Sequence, residues 1–118
     1  MITNKVAIID YGLGNTFSLL NAMKKIGVYS ELIASPDELF NFSHIILPGV
    51  GAFPYAKEAL EKNKMDLALI EHVKKGRPLL GICLGMQLLF EYSLENKKTK
   101  GLNIFPGYVE KFEKINNY

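Results

Sequence analysis

Short apolar runs alternate along this chain with longer amphipathic stretches. Strand-like segments fall at residues 5–9, 29–34, 44–47 and 78–82, each too short for a helix. The continuous run at 5–9 predicts a buried parallel strand, and the other three segments read as the second, third and fourth strands. Between them, Leu19, Leu20, Met23 and Ile26 repeat at helical spacing and predict a helix over 16–26 with those four on one face, Asn15 as its cap and Gly27 as its stop. A short helix is expected after Ser35 and Pro36, with Ser35 as cap. One or two helices are expected over 54–75, broken near Asn63 and Lys64 and ended by Gly76. Residues 84–92 have helical spacing, 95–100 read as a charged loop, and 108–112 are a last strand candidate. The tail Ile115-Asn116-Asn117-Tyr118 carries no stop signal.

Repeated strand–helix–strand units predict one α/β domain over residues 1–118, a doubly wound, flavodoxin-like and mostly parallel sheet with helices on both faces. In such sheets sites form outside the carboxyl ends of the strands. The segments there are Asp10-Tyr11-Gly12-Leu13-Gly14, Pro48-Gly49-Val50-Gly51 and Cys83.

Composition supports a packed domain and narrows its partners. The 118 residues are 48% hydrophobic and 22% charged, with net charge +2. That balance gives no footprint for nucleic acid, and the short cluster Lys97-Lys98-Thr99-Lys100 reads as a solvated loop. No apolar run approaches the roughly 20 residues that cross a bilayer, and the start at Met1 lacks a signal-peptide build. With one cysteine there is no internal disulfide, so a cytoplasmic protein is expected. One cysteine and two separated histidines predict no metal site, and no cofactor is indicated.

The strongest chemical signal is Gly81-Ile82-Cys83-Leu84-Gly85-Met86-Gln87. A nucleophile between strand and helix, with glycine two positions to either side, has the form of a nucleophile elbow. The bend forces the nucleophile into strained backbone and brings neighbouring chain too close for side chains at Gly81 and Gly85. It exposes the sulfur at a helix start, where the dipole favours thiolate, and aims the Leu84 amide at a developing oxyanion. Pro48-Gly49-Val50-Gly51 ends the adjacent strand, so Val50 or Gly51 can supply a second donor. Gly12 and Gly14 do not make a dinucleotide fingerprint, because Phe17 occupies its third glycine position. That loop reads as a tight turn presenting a surface to a partner.

Asp10-Tyr11-Gly12-Leu13-Gly14-Asn15, Pro48-Gly49-Val50-Gly51-Ala52-Phe53, the elbow extended through Leu88-Leu89-Phe90-Glu91, and Gly101-Leu102 through Pro106-Gly107 occur in that order. Together they resemble the class I glutamine amidotransferases, and among them the glutaminase subunits of imidazole glycerol phosphate synthase, over nearly the whole chain. The resemblance implies that Cys83 attacks the side-chain amide of glutamine and forms a glutamyl thioester. It implies Val50 and Leu84 as oxyanion donors, with the Gly49–Val50 peptide reorienting and Gly49 and Gly51 flanking it. It implies Gln87 and Glu95 as holders of the amino-acid end of glutamine, Gly12 and Asn15 on a partner-facing loop, and a cyclase barrel as heterodimer partner receiving the ammonia for histidine biosynthesis.

The family's histidine–proline–glutamate motif is absent, and His44 and His72 fall away from the strand ends. The expectation is therefore the N-terminal portion of a glutaminase, inactive by itself, with an uncovered sheet edge that invites aggregation. The alternatives are a class I relative serving another acceptor such as a nucleotide-linked sugar, a peptidase-like elbow enzyme, and a non-catalytic partner-binding module.

Overall fold

The computed structural model describes residues 4–113, so the tail noted at 115–118 and the first three residues lie outside the described part. Four parallel strands form the main sheet: β1 (Val6–Ile9), β2 (Ser30–Ile33), β3 (His44–Leu47) and β4 (Leu79–Gly81), in the order β2-β1-β3-β4. This is the doubly wound order expected from the strand–helix alternation. The alternation of side chains along β1 explains the two layers. Val6 and Ile8 face α1 (Thr16–Lys25), meeting Leu19, Leu20 and Met23. Ala7 and Ile9 face the larger core, which holds Phe53, Ala56 and Leu60 of α2 (Phe53–Glu61) and Met65 and Leu69 of α3 (Met65–Lys74).

Local chemistry sets the boundaries. The Asn15 side chain accepts from the Ser18 amide at 3.3 Å, as a cap should. Lys64 takes a left-handed backbone (φ 65°) between α2 and α3, and the Asn63 side chain accepts from the Met65 amide, so the expected break is real. Asn63 also donates to the Ala34 carbonyl at 2.8 Å, tying the break to the end of β2.

Five expectations need correction. Ile26 is 67% exposed rather than part of the apolar face, because α1 ends at Lys25 and the chain turns out at Gly27. Ser35 makes no side-chain cap, and the segment it precedes (Pro36–Asn41) is a 3-10 turn. The helix after Cys83, α4, spans only Leu84–Gln87. The carbonyls of residues 88–91 instead accept from the amides of 101–105, at 2.8 to 3.1 Å, and this cross-link replaces the helical ladder. The last strand, β7, contracts to Tyr108–Val109, with Phe112 fully exposed beyond it. Finally, residues read as helix and loop form a second small sheet: β5 (Tyr92–Ser93) lies between β6 (Thr99–Lys100) and β7, with Tyr92 and Tyr108 stacked at 5.0 Å.

Among the described residues β4 pairs only with β3, so its other edge is open. Leu80 on that strand is 57% exposed and borders a groove of about 520 Å³ lined by Val6, Met23, Val28 and Ile46. An open strand beside apolar surface templates association. The chain is expected to self-associate as its concentration rises, and Leu80→Lys to shift sedimentation toward monomer. A monomer at every concentration would remove the sheet edge as a liability.

Candidate active site

The carboxyl ends of β1, β3 and β4, three adjacent strands, carry the three segments singled out in the sequence. Cys83 follows β4 with φ 56° and ψ −123°, a left-handed backbone in a residue that has a Cβ. Such a conformation costs about 1–3 kcal/mol and persists only when the surroundings enforce it. Here they do. The Ile82 amide donates to Leu47 at 3.0 Å, and the Cys83 carbonyl accepts from Met86 at 2.9 Å and from Gln87 at 3.2 Å. The thiol is exposed.

The elbow glycines are dictated by contact. A Cβ on Gly81 would stand 2.6 Å from the Met86 Cα, and one on Gly85 would overlap the Leu47 carbonyl. Gly49 is buried between the two loops. A Cβ there would stand 3.0 Å from both the Gly85 nitrogen and the Leu84 Cβ. The 48–51 loop and the elbow are therefore in direct contact. Val50 and Gly51 are exposed, and Gly51 has φ 98°. Among the described residues, the amides of Gly49, Val50, Gly51 and Leu84 make no hydrogen bond within the chain. Donors left free beside an exposed nucleophile are what oxyanion stabilisation requires. The elbow helix is a single turn, so its dipole contributes less than a full helix would.

Gln87, half-buried, closes α4 one turn beyond Cys83. Glu95 lies apart from them on the small sheet's connection, where its amide donates to the Ser93 hydroxyl at 3.3 Å. It lines a cleft of about 480 Å³ with Ala52, Pro54, Tyr55 and Lys97, and thus meets the segment that follows Gly51. Gly12 (φ 86°) and Asn15 are exposed on the loop after β1.

Neither histidine approaches the sulfur. His44 opens β3 and shares a 2.7 Å hydrogen bond with the Ser43 hydroxyl. His72 is buried with Nε2 2.9 Å from the Pro78 carbonyl; a carbonyl only accepts, so that nitrogen carries the proton. Burial pushes its pKa below the usual value. Pro78 precedes β4 and Cys83 follows it, a separation of roughly 15 Å along an extended chain.

One contact escaped the sequence reading. Tyr11, read only as part of a turn, donates its hydroxyl to the Pro48 carbonyl at 2.6 Å. Nothing local in the sequence signals a bond spanning 37 residues; only the adjacency of β1 and β3 brings the two together.

Comparison with known proteins bears on the family and the fold. Residues 7–112 match the family described as glutamine amidotransferase class-I. Among curated relatives, the imidazole glycerol phosphate synthase subunit HisH of Caldanaerobacter subterraneus subsp. tengcongensis is 51% identical over 104 residues, covering 88% of this chain and 51% of the relative. The subunit of the same name from Bacillus cytotoxicus is 52% identical over 108 residues, covering 92% and 52%. The chain thus spans about half the length of these relatives. A crystal structure of a glutamine amidotransferase superposes with a TM-score of 0.76 at 19% identity, covering 89% of this chain and 55% of that one, which speaks for the shared fold.

Proposed function

The chain belongs to the class-I glutamine amidotransferase family, and from that membership we propose that it carries the nucleophile of a glutaminase subunit of imidazole glycerol phosphate synthase. The observation that carries this reading is the strained, exposed Cys83 against a loop of free amides. The identity of about half its residues with HisH subunits supports the choice among family members.

The chemistry follows from the groups present. The Cys83 thiolate attacks the side-chain carbonyl carbon of glutamine, and the C=O electron pair moves onto oxygen. The Leu84 amide and the Val50 amide donate to that oxyanion, with Gly49 and Gly51 giving the loop its freedom to turn. Collapse expels ammonia only when an acid protonates the leaving nitrogen, a donor that neither histidine of this chain supplies, and leaves a glutamyl thioester for water to hydrolyse. Gln87 and Glu95 hold the amino-acid end of glutamine, one from the elbow side and one from the cleft beside α2. Gly12 and Asn15 face the partner, a cyclase barrel that consumes the ammonia. The related readings, a different acceptor or a binding module without catalysis, share the fold but gain no support from the HisH identities.

The test is covalent and needs no turnover. A glutamine-like diazoketone is expected to label the chain once, at Cys83, with free glutamine slowing the reaction and Cys83→Ser abolishing it. Labelling that ignores glutamine would defeat the assignment of substrate.

A further inference from the structure

We propose that Tyr11 is a positioning residue of this site: its hydroxyl holds the Pro48 carbonyl and thereby fixes the Pro48–Gly49 peptide, the base from which the Gly49–Val50 peptide turns beside Cys83. This rests on the reading of Val50 and Leu84 as oxyanion donors. The hydroxyl reaches Pro48 O at 2.6 Å, a short bond for two oxygens. The same hydroxyl would stand 2.6 Å from a Cβ on Gly49, so it sits directly against the joint between the two peptide planes. The plane on the near side of Gly49 then has little freedom. The proline ring locks φ one bond before it, the Tyr11 bond holds its oxygen against rotation about ψ, and the backbone of Gly14 packs behind, close enough that a Cβ there would meet the Pro48 ring at 3.1 Å.

What remains soft is Gly49 itself, the residue with the widest backbone freedom. Without the tether, rotation about two consecutive residues becomes available and the Val50 amide turns from no fixed base. A donor stabilises a transition state to the extent that it is aimed beforehand. Burial also raises the Tyr11 pKa from 10.0 to about 12, so the phenol keeps its proton and remains a donor at any physiological pH. Its ring packs against the main core, which fixes the hydroxyl in turn.

Two reactions of the same thiol isolate this role in the chain as it stands. Acylation by p-nitrophenyl acetate passes through an oxyanion: sulfur bonds to the carbonyl carbon, the electron pair moves to oxygen, and collapse expels p-nitrophenolate. Alkylation by iodoacetamide displaces iodide from carbon and builds no oxyanion. The ratio of the two rates therefore reports the donors and cancels thiol reactivity. The ratio is expected to exceed that of N-acetylcysteine in the wild-type chain and to fall about fivefold in Tyr11→Phe, with alkylation unchanged. Should phenylalanine unfold the chain, 4-fluorophenylalanine at position 11 fills the hydroxyl's place without donating and is expected to give the same fall. 4-Aminophenylalanine, which keeps the ring and an N–H donor, is expected to restore the ratio. An unchanged or raised ratio in the folded hydroxyl-free variant overturns the role of Tyr11 alone. A wild-type ratio no higher than N-acetylcysteine overturns the oxyanion reading beneath it, and Tyr11's role with it.

Discussion

Alanine at Gly85 is expected to destabilise the fold by about 3 kcal/mol or more, lowering the melting temperature by roughly 10 °C or more. The added methyl would overlap the Leu47 carbonyl and approach the Pro48 oxygen to 3.0 Å. Both obstacles are backbone, the Leu47 carbonyl held by the Ile82 amide and the Pro48 carbonyl by the Tyr11 hydroxyl, so neither swings aside as a side-chain tip would. The elbow must then lift from the end of β3, separating Cys83 from the 48–51 loop. Gly12 provides the comparison. It has φ 86° but nothing within 4 Å of an added Cβ, so Gly12→Ala is expected to cost only the backbone strain, about 1–2 kcal/mol. Thermal melts of the two variants decide the matter. Equal losses would mean that the close approach at the elbow is not what demands glycine there.

The elbow was legible because its requirements are local. Two glycines spaced around a cysteine, after an apolar run, follow from the sterics of one sharp bend, and the sequence shows all of them. The strand order was legible for a related reason: short apolar runs separated by helices leave few ways to build a two-layer sheet. What could not be read was set by partners far along the chain. Residues 84–92 have helical spacing, yet the amides of 101–105 claim the carbonyls that a longer helix would use. Leu88 and Leu89 are buried by that clamp, so their apolar character looked helical for a reason that was tertiary. The same holds for Thr99 and Lys100, polar residues that pair as a strand only because Tyr92 and Ser93 lie opposite. Tyr11 is the case with functional weight, since its bond to Pro48 depends on the packing of two neighbouring strands.

No glutamine turnover is expected from this chain alone above the background of its Cys83→Ser variant, even while the thiol accepts an electrophile. Release of ammonia from the tetrahedral adduct needs a proton at the leaving nitrogen, and a positioned acid contributes about 10²–10⁴-fold. The sequence has two histidines. His72 spends its proton on the Pro78 carbonyl in a buried position, and His44 sits with Ser43 at the opposite end of the sheet. The measurement is glutamate production at saturating glutamine with both proteins side by side. A wild-type rate well above the serine variant would mean that another group in the chain protonates the leaving nitrogen, and the roles assigned to the two histidines would have to be revised.

The clamp between residues 88–91 and 101–105 also bears on how this site can change over time. It pins both ends of the excursion that carries Glu95, so the stretch between behaves as a closed ring whose circumference is nearly free to vary: doubling a flexible loop adds only about 0.6 kcal/mol of closure entropy. Insertions or deletions near residues 94–98 can therefore reshape the cleft that Glu95 lines while the bend bearing the sulfur stays put. The nucleophile's bend and the wall of that cleft are thereby placed on separately mutable pieces of chain.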